Sequence, residues 1–146
     1  MTNNKYLYIS LVVAVVFCIL HYLGIEYHLY FTYKWFDIPM HLLGGFWLSL
    51  LGLWVSFRFG HIDSIIRYKS KSFVIAIISA FVIGIAWESF ELLAGITSVN
   101  TPEYFKDFCN DVSSTFMGGV IAYLYFIKRR SCPNDMICEL GINRKL

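Results

Sequence analysis

The sequence predicts an all-α protein, an integral membrane bundle of four transmembrane helices with both termini on the cytoplasmic side. The first reason is composition: 58% of the 146 residues are apolar and only 15% charged, against roughly 25% charged in soluble domains. A water-soluble chain of this length has room for one domain and too small an interior to hide so much apolar surface. The second is a set of four stretches, residues 6–24, 38–57, 73–96 and 111–127. Each is near the length of about 20 apolar residues that crosses a hydrocarbon core of about 30 Å. The third is where the basic residues fall between them.

The first stretch, residues 6–24, is too long for the apolar region of a typical signal peptide, and no small-residue cleavage site follows it. Bulky Phe17 before Cys18 argues against a lipid-modified cysteine, so the segment reads as a retained helix. After it comes IEYHLYFTYKWF, crowded with aromatics of the kind that settle at the headgroup level. The second stretch opens at Asp37-Ile38-Pro39 and leads to the basic loop RFGHIDSIIRYKSKS. The third rises from Phe73 and ends in the polar, acidic TSVNTPEYFKDFCN. The fourth is the shortest, a length that tilt or local thinning accommodates. Residues 128–146 form a basic tail on a single membrane domain spanning 1–146.

Orientation follows from the cations. With the N-terminus inside, Lys5, Arg58, Arg67, Lys69, Lys71, Lys128, Arg129, Arg130, Arg144 and Lys145 are cytoplasmic, ten of the twelve Lys and Arg; only Lys34 and Lys106 lie outside. That asymmetry is the usual positive-inside bias. The expected location is the cell membrane, multi-pass, with lipids as the surrounding partner. Topology and attraction to anionic lipid account for the basic residues, so a nucleic-acid partner is not supported. No oligomeric state follows from the sequence. Of the four cysteines, Cys18 lies in a helix and Cys132 and Cys138 in the inner tail, so no disulfide framework is implied. The Cys132-x5-Cys138 spacing also fits a zinc knuckle poorly.

The carboxylates sort to the opposite side. Asp37 and His41 open the second stretch, Asp107 and Asp111 the fourth, and His21 lies near the outer end of the first. Glu88 and Glu91 lie roughly 22 and 27 Å up the third stretch at 1.5 Å per residue. Asp37/His41 and Asp107/Asp111 are i,i+4 pairs and Glu88/Glu91 an i,i+3 pair, so each pair shares a helix face. A charge at membrane depth costs about 2.5–3.5 kcal/mol on insertion scales and normally faces a partner. Two lysines cannot balance five convergent acids, which leaves bound protons, water or a divalent metal. An oxygen-rich set with one imidazole suits Mg, Mn or Zn without choosing among them. The expected ligands are Asp37, His41, Glu88 and Asp111, with Glu91 and Glu88 as catalytic carboxylates and His21 and Asp107 as secondary candidates. Structural readings stand beside these: Asp37 and Asp111 as helix caps, His41 as an interfacial histidine, and Glu91 as a solvated surface acid.

Asp37 and Asp111 are each followed seven residues later by a glycine pair, Gly44-Gly45 and Gly118-Gly119. The second and fourth stretches run the same way and read as equivalent halves of a duplicated hairpin, with the glycines permitting close backbone approach.

The order Asp37-x3-His41-x2-Gly44-Gly45, Gly84-x2-Trp87-Glu88-x2-Glu91, then Asp107-x3-Asp111 with Gly118-Gly119 resembles the small bacterial membrane proteins of the YjdF type over roughly residues 35–127. More distantly it looks like the VanZ-like family, whose members similarly show an Asp and a His opening one helix, a Glu in the next block and an Asp opening the last. The VanZ-like resemblance implies bacterial origin and a link to the envelope and to glycopeptide resistance; it implies no reaction. VanZ-like chains often carry a Gln or similar polar residue near the place of Glu91, a departure at the proposed base. Two functions are expected to compete. One is a metal-dependent hydrolase or transferase acting on a lipid or lipid-linked headgroup from the outer side. The other is a non-catalytic binder of an envelope lipid, an amphiphilic drug or a cation, rimmed by the aromatics of residues 27–36. An ion or proton path is a weaker third, because the acids gather at one end.

Overall fold

A computed structural model describes residues 4–59, 65–93 and 102–130. The Cys132/Cys138 pair, most of the tail at 128–146, and the expected end of the third helix at residues 94–96 lie outside the described residues.

The chain is all-α. Helix α1 spans Lys5–Glu26, a single turn α2 spans Leu29–Thr32, and a 3-10 turn at Lys34–Phe36 leads into α3 (Asp37–Arg58). Two long helices follow, α4 (Ile65–Leu93) and α5 (Tyr104–Arg130). Among the described residues three helices are long and apolar enough to cross a membrane, at Lys5–Glu26, Lys34–Arg58 and Lys69–Leu93. The expected fourth is long enough, at about 40 Å for 27 residues. Its first half, however, is polar, with Lys106, Asp107, Asn110, Asp111, Ser113, Ser114 and Thr115. Asp111, Ser114 and Thr115 of that half are buried in the bundle.

Burial here differs from a soluble protein's, because polar residues share the interior with Leu50, Leu53, Ala76, Ala80, Ala122 and Phe126. Ser10, His41, Ser49, Ser72, Glu88, Glu91, Asp111, Ser114 and Thr115 are inside, while Val12, Val15, Ile19, Ile78, Phe81, Val82 and Leu124 face outward. Large apolar faces around an interior so rich in polar groups suit an apolar surrounding.

Two helix starts differ from expectation. The third begins at Ile65 rather than Phe73, and the fourth at Tyr104 rather than Asp111. In both cases hydropathy marks only the apolar stretch, whereas the helix continues into the polar flank, since Arg, Lys and Ser are tolerable helix formers. The cap readings fail with them. The residue at the N-cap of α3 is Phe36, with no side-chain cap hydrogen bond. Asp111 sits well inside α5.

The core of the packing is α3 against α5. The two run parallel, since Gly45 meets Thr115, Gly118 meets Leu42 and Phe46, Ser49 meets Gly119, and Phe57 lies against Phe126. A Cβ on Gly45 would overlap the Thr115 carbonyl, and one on Gly118 the Leu42 carbonyl. The backbones therefore touch directly, as small residues permit between membrane helices. Helix α4 runs antiparallel to both, with Ser49 Oγ donating to the Ala76 carbonyl at 2.8 Å and Gly84 lying against Thr115. Helix α1 leans on α3 and begins in an aromatic cluster, Tyr6 packing on Phe126 with ring centroids 4.8 Å apart.

Candidate metal centre

This packing gathers the acids at one end of the bundle. Asp37 and His41 occupy the first turns of α3, Glu88 the last turns of α4, and Asp111 the second turn of α5. His41 is the hub. Its Nε2 lies 3.5 Å from Asp37 Oδ1, 3.9 Å from Glu88 Oε1 and 3.9 Å from Asp111 Oδ1. Ligand atoms of Asp37, His41 and Asp111 all lie within 4.8 Å of one another, a grouping that could hold a metal ion. His41, Glu88 and Asp111 are each less than 9% exposed.

The tautomer of His41 follows from its neighbour. Thr115 Oγ1 donates its one proton to the Asp111 carbonyl at 2.8 Å, so at 3.2 Å it accepts from His41 Nδ1–H. The Nε2 lone pair of the neutral ring then points at three carboxylates, and neither Nε2 nor Glu88 Oε1 has a hydrogen-bond partner. Contacts of 3.9 Å are too long to be hydrogen bonds. They are slightly wider than the roughly 3–3.5 Å edges that four ligands would make around an ion with bonds of about 2.0–2.2 Å. Among the described residues the only basic group that reaches the three carboxylates is His41 itself. Lys34 pairs with Glu103 instead, at 2.7 Å and largely in solvent. Its ammonium holds the Glu103 carboxyl below the usual carboxylate range, and such an exposed pair stabilises little.

The other candidates take different places. Glu91 is buried, contrary to its reading as a solvated acid, because Trp87 Nε1–H donates to its Oε1 at 2.9 Å. Glu91 lies three residues beyond Glu88 on α4, one turn along the same face. His21 is not among the grouped ligands: its Nδ1 pairs with the Tyr30 hydroxyl at 2.8 Å and its ring meets Trp87 edge-on. Asp107 is exposed in the first turn of α5, outside the group. Burial, with Asp37 and Glu91 nearby, pushes the Tyr30 hydroxyl above the ordinary tyrosine range, so it remains a neutral phenol over the site.

Sequence reasoning missed Thr115 and the particular contacts of Trp87 with Glu91 and of Tyr30 with His21. For Thr115 the signal was present. Asp37-x3-His41-x2-Gly44-Gly45 and Asp111-x3-Thr115-x2-Gly118-Gly119 share one spacing, and His41 and Thr115 are the equivalent positions that bond to each other.

Residues 4–131 match the family described as "Predicted membrane protein (DUF2238)". The chain belongs to that family. The DUF2238 family is the YjdF type that the motif order resembles, and the match runs from the start of α1 to the end of α5. It supports membrane residence and does not extend to the VanZ-like label. No curated protein and no solved structure matches the chain.

Proposed function

We propose that this DUF2238 protein crosses the membrane four times, with both termini cytoplasmic, and holds a divalent cation at the outer end of the bundle. The observation that carries the reading is the Nε2 of a buried histidine, turned by Thr115 toward three carboxylates and hydrogen-bonded to nothing. Three carboxylates and one imidazole suit Zn, Mn or Mg. The ion offsets a concentration of negative charge that would otherwise repel an anionic headgroup. The reaction class is hydrolysis or transfer at a lipid or lipid-linked headgroup. Glu91, aimed by Trp87, is the base that takes a proton from the attacking water, and Glu88 is shared between the ion and that step. In hydrolysis the water divides across the ester bond, its hydroxyl to the headgroup and its proton to the departing oxygen. A non-catalytic role, as the binder of an envelope lipid or amphiphilic drug, is the second reading. The exposed Phe31, Tyr33 and Trp35 beside the site favour it, and the distant VanZ-like resemblance agrees with it.

Protein purified in mild detergent should carry about one equivalent of a divalent metal by elemental analysis. Thr115→Val, which keeps the shape but frees the imidazole to turn, should weaken retention by about 10–100-fold, the usual effect of losing a group that orients a ligand. Metal-free protein that refuses Zn, Mn and Mg at millimolar concentration would overturn the reading. For topology, reporter fusions after Lys71 and Leu146 should read cytoplasmic and one after Thr101 external. An external signal at Lys71 reverses the side on which the site opens.

A further inference from the structure

A cavity of about 220 Å³ lies beside His41, between α1, α3, α4 and Thr115 of α5. His41 and Thr115 form the wall it shares with the metal centre; Phe17, Trp47, Leu48, Ile83 and Trp87 supply most of the rest. It is smaller than the roughly 300–1,000 Å³ of sites that enclose a whole drug-sized molecule, so it fits part of one. Water is a poor occupant, because a buried water needs two to four polar partners. The polar atoms of His41 and Thr115 are already directed at each other, at the Asp111 carbonyl and at the acids.

Gly44 explains why the space exists. Its neighbour Gly45 must be glycine for α3 to touch α5, whereas a Cβ on Gly44 would meet only the Phe17 ring, at an ordinary 3.7 Å. Helix packing does not require a glycine there, and its missing side chain leaves the cavity open.

We propose that this cavity receives a segment of the hydrocarbon chain of the amphiphile whose headgroup reaches the ion. The inference deepens the proposed function and rests on it for the headgroup alone. The chain lies against Trp47 and Trp87, passes the face of His41, and presents its polar end to the carboxylates one turn above. The site then selects molecules that join an anionic oxygen headgroup to a linear aliphatic chain, and it draws them from the bilayer rather than from water.

The probe is a dodecyl phosphate brominated near the chain end, titrated into protein in unbrominated maltoside micelles. Bromine against Trp47 and Trp87 should quench their fluorescence saturably. Gly44→Leu should weaken that binding by roughly tenfold or more, as overfilling a packed site does, while metal content is unchanged. Leu48→Phe narrows the cavity from another wall and should act the same way. No saturable quenching in the unmodified protein, or undiminished binding in both variants, overturns the proposal. A brominated maltoside with a neutral head separates the two ideas. If it binds as tightly as the phosphate, to protein without metal, and is still lost in Gly44→Leu, the chain site stands and the metal reading falls.

Discussion

Glu88→Gln should abolish metal retention while leaving insertion and helix content intact. Gln keeps the volume and removes the charge from the one carboxylate that α4 supplies to the centre, 3.9 Å from His41 Nε2. Losing a ligand should cost more than the roughly 10–100-fold that follows from losing a partner that merely orients one. The alternative has the opposite sign. Were Asp37, Glu88 and Asp111 only repelling one another and sharing protons, removing one charge would relieve the cluster and raise the melting temperature. Metal content and melting temperature, measured in one detergent, distinguish the two. Glu26→Gln is the control, because Glu26 is exposed at the end of α1 and outside the group. A stabilised Glu88→Gln protein that still holds its ion would leave the centre without support.

Gly118→Val should be the most disruptive single change in the bundle. The first added carbon would already overlap the Leu42 carbonyl and press on the Phe46 nitrogen. Backbone cannot rotate away as a side chain can, so α3 and α5 must separate. Overpacking of this kind costs about 1–3 kcal/mol and sometimes more. Separation would also draw Thr115 off His41 one turn away, so loss of metal should accompany the fall in melting temperature. Gly44→Ala, one residue from the equivalent contact, meets only Phe17 and should melt near the parent.

Much of this grouping of side chains was legible because helices impose a period on sequence. Asp37 and His41 are i,i+4, so placing the helix placed both side chains on one face. Putting Glu88 on the next helix and Asp111 on the last required only that both reach the same level. Three of the four expected spans were legible as apolar lengths, but α4 and α5 begin eight and seven residues early because a helix does not stop where hydropathy falls. Polar α5 was the least legible, since its hydroxyls and Asp111 face other helices and hydropathy cannot distinguish a polar face turned inward from one in water. Trp87 and Tyr30 were hidden for a different reason. Aromatics abound in this chain, and only the fold shows that one aims Glu91 and the other meets His21.

The direct contact of α3 with α5 divides the molecule mechanically. A joint made of carbonyl and Cα atoms has no rotamers to yield, so Asp37, His41, Asp111 and Thr115 ride on one stiff frame. Helix α1 has no such joint: it buries only Tyr6, Ser10 and Gly24 along its 22 residues and meets α4 chiefly through the rings of Phe17, His21 and Trp87. A displacement of α1 would therefore disturb fewer buried groups than one of α3, which buries six residues. The wall that Phe17 of α1 gives the cavity is thus separate from the frame that carries Asp37, His41 and Asp111.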